Sequence, residues 1–154
     1  MNYEEYTKQR TNWVSKLPLF FAFSDEQLKR ALEERHTTTK DIYALKGISG
    51  AFYLKSDSDK LNKMLDEPDP LDELMQNPEF ATEAFFYELK NYEYCYNTYQ
   101  GDWDVCSAFT NKELTFNEFY TYKDYLKAMG HPEYIPSFEK ALAQYSDYCR
   151  ELDL

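Results

Sequence analysis

Histidine and cysteine are scarce in this chain of 154 residues, and their scarcity excludes several chemistries. Only His36 and His131 occur, and neither has a cysteine or second histidine at the spacing of a metal motif. Cys95, Cys106 and Cys149 form no C-x-x-C pair and leave one thiol over, which argues for a reducing compartment rather than a disulfide framework. Cys95 and Cys149 fall on apolar helix faces, the usual place of an inert core thiol, and Cys106 has no evident base near it in sequence. Glycine is equally sparse, and its one close pair, Gly47-Ile48-Ser49-Gly50, suits a hairpin turn better than a nucleic-acid backbone clamp, which works between helices in a basic setting. No apolar run approaches a membrane span, and MNYEEYTKQR lacks the basic-then-apolar order of a signal peptide. The expected location is the cytosol, and no cofactor or metal is implied.

Positive charge is missing from one long window. Between Asp66 and Asp104 stand eleven carboxylates and a single base, Lys90, so most of the net charge of -11 sits there. An acidic balance argues against nucleic acid as a direct ligand, because phosphate binding needs Lys and Arg. Asp57-Ser58-Asp59 and the DEPDPLDE run offer oxygen ligands, yet the alternation and glycine of an EF-hand loop are absent. Helix capping and a solvated acidic loop account for both.

Aromatic residues are abundant, with 15 Tyr and 11 Phe, so tyrosine must carry much of the apolar burial and the mean hydropathy of -0.77 understates the core. They concentrate in NPEFATEAFFYELKNYEYCYNTYQGDW, Asn77 to Trp103. Asn77 suits an N-cap and Pro78 the first helical position. At 100° per residue Ala81, Phe85, Leu89, Tyr92, Tyr96 and Tyr99 form one stripe, with Phe80, Tyr87 and Tyr94 beside it. Glu79, Glu83, Lys90, Glu93 and Asn97 share a narrow polar strip interrupted by Phe86. The pattern predicts a central helix over about 78–99, packed on two sides.

The remaining chain reads as further helices and one hairpin. Tyr6, Trp13, Val14 and Leu17 suit a first helix over Tyr3–Lys16, stopped at Pro18. LPLFFAF is β-prone and suits an edge strand. Ser24 to Gln27 forms a capping box with Phe23 and Leu28 as its staple, and that helix runs to about Arg35. DIYALKGISGAFYLK predicts a β-hairpin over about 42–54. A helix with Leu61, Met64 and Leu65 inward follows, then a helical turn at Leu71–Met75. DWDVCSAF fits a short helix or an extended piece equally. Thr115 to Glu118 forms a second box, with Leu114 and Phe119 as staple, for a helix ending at Met129 with Gly130 as its stop. The last helix starts near Pro136 and buries Phe138, Leu142, Tyr145, Cys149 and Leu152. The expected fold class is α+β, predominantly α-helical, with five to six helices and a small hairpin in one domain over 1–154.

Two features carry functional expectations. Glu88 falls in the apolar arc of the central helix, among Ala81, Ala84, Tyr92 and Cys95, where a carboxylate either works as an acid or base or accepts from tyrosines and cations of neighbouring helices. The acidic window makes a protein-binding surface of Glu79, Glu83, Glu93, Asp69, Asp72, Glu73, Asp102, Trp103 and Asp104. Rigid anions interleaved with Tyr and Trp complement a Lys/Arg-rich groove and are steered to it electrostatically. An acidic surface that only confers solubility is the plain alternative.

The segments LPLFFAFSDEQL, KDIYALKGISGAFYLKSDSDKL and AFFYELKNYEYCYN together resemble a small family of uncharacterised proteins of bacteriophages and mobile elements of gut bacteria, over most of the chain to about Tyr99. That family has an aromatic FFAFS segment before a capped helix, a glycine-containing hairpin and an N-H-E-Y-C-type stretch. Here Tyr92 stands at the histidine position, in Asn91-Tyr92-Glu93-Tyr94-Cys95, so a histidine-dependent chemistry would be lost in this member. The resemblance implies a genomic setting in which small acidic inhibitors of host defence nucleases occur, some by imitating DNA charge. The leading expectation is therefore a non-enzymatic inhibitor, anti-CRISPR-like and of DNA-mimic type, whose partner is a CRISPR nuclease or other nucleic-acid-binding protein. Two alternatives stay open: an accessory or scaffold protein binding through the aromatic C-terminal helices, where loss of Tyr145 or Tyr148 would break assembly, and a small enzyme using Glu88.

Overall fold

The structure, a computed structural model, describes residues 1–95 and 99–152. The chain divides into two compact units, one of Met1–Lys8 with Asp69–Leu154, the other of Gln9–Pro68, with the boundary inside α1 (Tyr3–Ser15). As expected, the fold is α+β and mostly helical, with eight α-helices and one three-stranded antiparallel sheet among the described residues.

In the unit Gln9–Pro68, LPLFFAF supplies β1 (Phe20–Phe21), which pairs with the expected hairpin of β2 (Ile42–Ala44) and β3 (Ala51–Leu54) in the order β1-β3-β2. Phe20 lies opposite Phe52, and Tyr43 opposite Tyr53. Before α2 (Asp25–Glu34) the Ser24 oxygen accepts the Gln27 amide at 3.1 Å. The return arm differs from the expected box: Gln27 Oε1 accepts from the amide of Phe23, not of Ser24. Phe23 is 72% exposed, its ring lying over Gly50 and stacked on Phe21 at 6.5 Å. The helix closes with His36 in the left-handed region (φ 52°) and the Thr37 N–H donating to Leu32 O. Of the residues expected inward on α3 (Ser58–Leu65), Leu61 is buried, Met64 half-buried and Leu65 exposed. Phe20, Ala22, Leu32, Ala51 and Leu61 are the buried apolar residues of this unit.

The other unit is built on α5 (Pro78–Asn91), preceded by the short α4 (Leu71–Leu74). Asn77 Oδ1 accepts the Glu79 amide at 2.9 Å and Pro78 begins the helix, as expected. Phe80, Ala81, Ala84, Phe85 and Leu89 are buried, and the Phe85 ring meets Phe109 and Phe138 edge-on at 4.7 and 5.1 Å. The helix is shorter than its pattern. It ends at Asn91, where the Glu93 N–H donates to Lys90 O and the Tyr94 N–H to Leu89 O, with Glu93 at φ 49°. That is a Schellman stop with glutamate in the position glycine usually fills. Tyr92 is consequently exposed, Tyr96 and Asn97 lie outside the described residues, and Tyr99 opens a separate helix, α6 (Tyr99–Ser107).

DWDVCSAF is thus largely helical, and Gly101, rather than breaking the chain, sits buried inside α6. A Cβ there would stand 2.9 Å from the Tyr94 ring, so the close approach requires glycine. The expected helix start at Thr115 does not form. Asn117 Oδ1 takes the Phe119 amide at 2.9 Å in a local turn that competes with helix, and Phe119 points to solvent. Thr121 is the N-cap of α7 (Tyr122–Ala128) instead, its amide donating to Asp124 Oδ2 at 2.8 Å. Gly130 ends this segment in the expected way, at φ 83° with the His131 N–H on Leu126 O. The final helix, α8 (Ile135–Glu151), buries Phe138, Ala141 and Tyr145, while Leu142 and Cys149 are half-buried and Leu152 is exposed.

Candidate functional site

Glu88 is buried, as its place on the helical wheel requires, and its partners come from two directions. The hydroxyl of Tyr3 on α1 donates to Oε1 at 2.7 Å, and Asn91 Nδ2, one turn on, donates to Oε2 at 3.2 Å. Burial raises the Tyr3 hydroxyl far above its ordinary range, and the hydrogen bond to Glu88 and its charge add to this. Tyr92 is raised too, by partial burial first and then by the charges of Glu88 and Asp104. Cys95, placed beside Glu88 by a continuous helix, is instead exposed beyond the end of α5. Tyr3 carried no signal in sequence, since nothing local marks a tyrosine for a carboxylate 85 positions away.

Asp102, expected on the acidic surface, is buried. Its Oδ1 accepts from the Tyr94 hydroxyl at 2.5 Å, and its Oδ2 from the amide of Tyr122 at 3.0 Å. Tyr122 is the first residue of α7, so Asp102 satisfies one of the orphan donors of that helix from a neighbouring element. Burial raises the Asp102 carboxyl, and the two hydrogen bonds pull it back in part. The same burial pushes the Cys106 thiol well up, with the Asp102 charge acting in the same direction, and leaves it a poor nucleophile.

The remaining surface residues divide in two. Asp72, Glu73, Glu79, Glu83 and Glu93 are exposed. Asp69, Trp103 and Asp104 are half-buried and engaged: Asp69 accepts from the Tyr6 hydroxyl at 2.8 Å, Trp103 Nε1 donates to Leu114 O at 2.7 Å, and Asp104 accepts from Gln100 at 3.1 Å. Lys90, the one base of the window, lies with its ammonium 4.4 Å from the centre of the Phe86 ring. Tyr145 is buried with its hydroxyl on Tyr94 O, and Tyr148 packs edge-on against Phe86. Both tyrosines of the proposed scaffold surface are therefore engaged inside this unit.

Charge is segregated between the units. Met1–Lys8 with Asp69–Leu154 hold nineteen Asp and Glu against seven Lys and Arg, whereas Gln9–Pro68 hold nine against ten. Among the described residues no three His, Cys, Asp or Glu side chains are grouped as a metal site would need. No helix among them is long and apolar enough to cross a membrane.

An acidic, mostly helical α+β protein with two buried, hydrogen-bonded carboxylates is the class these features define. Residues 2–131 match a family of unknown function, DUF7659, and the chain belongs to it. The match extends beyond the Tyr99 limit of the quoted segments, through α7, and stops before α8. No curated protein and no solved structure matches the chain.

Proposed function

We propose that the chain is a non-enzymatic binding protein of a phage or mobile element. In this reading it is an inhibitor whose acidic face occupies the basic nucleic-acid-binding surface of a host defence protein such as a CRISPR nuclease. The segregation of charge carries the proposal. The unit of Met1–Lys8 with Asp69–Leu154 holds the whole excess of carboxylates, while Gln9–Pro68 is balanced. Charge that served solubility alone would have no reason to collect in one unit. Exposed Glu79 and Glu83 stand one turn apart on α5, whose first amides are capped by Asn77; exposed Asp72 and Glu73 precede that helix in sequence and exposed Glu93 closes its far end. Anions held on a packed helix lose little freedom on binding and attract a cationic groove over a distance set by ionic strength. The phage setting rests on the resemblance of the FFAFS, hairpin and NYEYC segments, and the inhibitor class on that setting together with the charge.

The test is capture of the partner by the tagged chain from lysates of gut bacteria at low and high salt, then affinity with the purified partner. Binding is expected to weaken with salt. The triple change Glu79→Lys, Glu83→Lys, Glu93→Lys should cost about tenfold or more in affinity. A partner bound equally well by the triple variant ends the proposal.

A further inference from the structure

The unit Gln9–Pro68 carries a groove of about 440 Å³ that neither the acidic face nor the buried carboxylates use. One wall is β1, and both Phe20 and Phe21 line it. Successive residues of a strand point to opposite faces of its sheet, so a groove touching both runs along the strand's edge. Among the described residues β1 is an edge strand, paired with β3 alone. The Ala22 N–H donates to Gly50 O at 2.9 Å, and the alternation of an antiparallel ladder therefore turns the N–H and C=O of Phe21 away from β3.

The other wall is a single stripe of α2. Gln27, Arg30, Ala31 and Glu34 line the groove at positions i, i+3, i+4 and i+7. Arg35 completes the lining, its guanidinium 4.3 Å from the centre of the Phe20 ring. Two guanidiniums face one carboxylate, Glu34, in a chain of net charge -11. Their own ion pairs, Arg30 with Glu26 at 3.7 Å and Arg35 with Glu34 at 4.0 Å, are exposed and long, hence weak enough to yield to a better-placed anion, while Arg35 Nη1 also donates to Ala31 O at 3.2 Å.

We propose that this groove binds an extended acidic peptide of a partner protein, added as a strand to the free edge of β1 with its carboxylates on Arg30 and Arg35. The peptide backbone takes the N–H and C=O of Phe21, and the α2 stripe encloses its side chains, the mode in which main-chain hydrogen bonds supply affinity and flanking groups supply selection. A slot between a strand edge and a helix fits an extended chain, and its volume lies within the range of about 300–1,000 Å³ usual for binding pockets. Long open edges pair indiscriminately; a two-residue edge beside arginines admits only a short, charged segment. None of the residues lining this site belongs to the acidic face.

The experiment follows backbone amides of the full chain by NMR while adding a soluble heptapeptide alternating valine and glutamate. The Phe21 amide is expected to shift saturably. Arg30→Glu, at an exposed position, should weaken binding by about tenfold, as should replacing the peptide's glutamates with lysine. A peptide N-methylated at alternate residues, unable to complete the strand pairing, should fail to bind. The proposal is overturned if Phe21 does not respond, if the N-methylated peptide binds as well, or if free glutamate produces the same shifts. A dimer of the chain seen by light scattering that the peptide does not dissociate also overturns it, because a second copy would then occupy the edge.

Discussion

Tyr3 donates its hydroxyl to Glu88 at 2.7 Å, and both residues are buried in the unit they share. The bond ties the first turn of α1 to the last turn of α5 and gives the buried carboxylate a hydroxyl donor beside the Asn91 amide. A buried carboxylate that keeps its charge needs such donors, and losing one leaves it under-solvated.

Tyr3→Phe should therefore destabilise the protein by about 1–3 kcal/mol, measured by urea denaturation at neutral pH. Glu88→Gln, which keeps an acceptor for Tyr3 and removes the buried charge, should cost less than Tyr3→Phe. An equal or greater loss for Glu88→Gln would assign the carboxylate a role beyond accepting these bonds.

Asp102 yields a pH dependence of defined sign. Its carboxyl is raised in the folded state above the ordinary 3.8, chiefly by burial, so the folded protein holds that proton more tightly than the unfolded chain. Its contribution is fully present below the ordinary value and is lost as pH rises through the raised one. Asp102→Asn should remove that slope while preserving an acceptor for the Tyr122 amide, and Asp102→Ala should destabilise at every pH by stranding two donors. Urea denaturation across the acid range reads both; an unchanged slope in Asp102→Asn would refute the assignment.

Local chemistry was legible in the residues themselves. The Asn77-Pro78 start, the Ser24 cap, the Gly130 stop and the hairpin around Gly47 and Gly50 each depend on a few neighbouring atoms. Where two local signals competed, pattern alone failed: Thr115 and Thr121 each precede an acidic residue by three, and the Asn117 turn decides for the second. The end of α5 was hidden because Glu93 takes a conformation that usually announces itself as glycine. Partnerships across long separations, Tyr3 with Glu88 and Asp102 with the start of α7, leave no mark on periodicity. Counting carboxylates likewise cannot tell the exposed Glu79 from the buried Asp102, so the acidic surface is narrower than the acidic window of the sequence.

Gly101 should resist substitution for a steric reason. An added Cβ would lie 2.9 and 3.1 Å from two carbons of the Tyr94 ring. That ring is held through its hydroxyl on Asp102 and its contact with Tyr145, so it has little room to retreat. Gly101→Ala is expected to cost about 1–3 kcal/mol despite alanine's better helix propensity, whereas an exposed helical glycine would gain from the same change. Thermal unfolding of the variant decides the sign.

Glu93 separates stability from binding in one substitution. As the left-handed residue closing α5 it carries a Cβ where glycine would carry none, and its negative charge sits at the negative end of the helix dipole. Glu93→Gly relieves both and is expected to stabilise the fold by about 0.5–1 kcal/mol, the gain being limited by the greater freedom of glycine in the unfolded chain. The same change deletes one of the five exposed carboxylates of the proposed binding face. A variant that melts later yet binds its partner more weakly, with a shallower salt dependence, would tie Glu93 to recognition. Had the residue only a structural part, Glu93→Gly would bind as well as the parent or better, and glutamate at this strained position would be left without a functional reason.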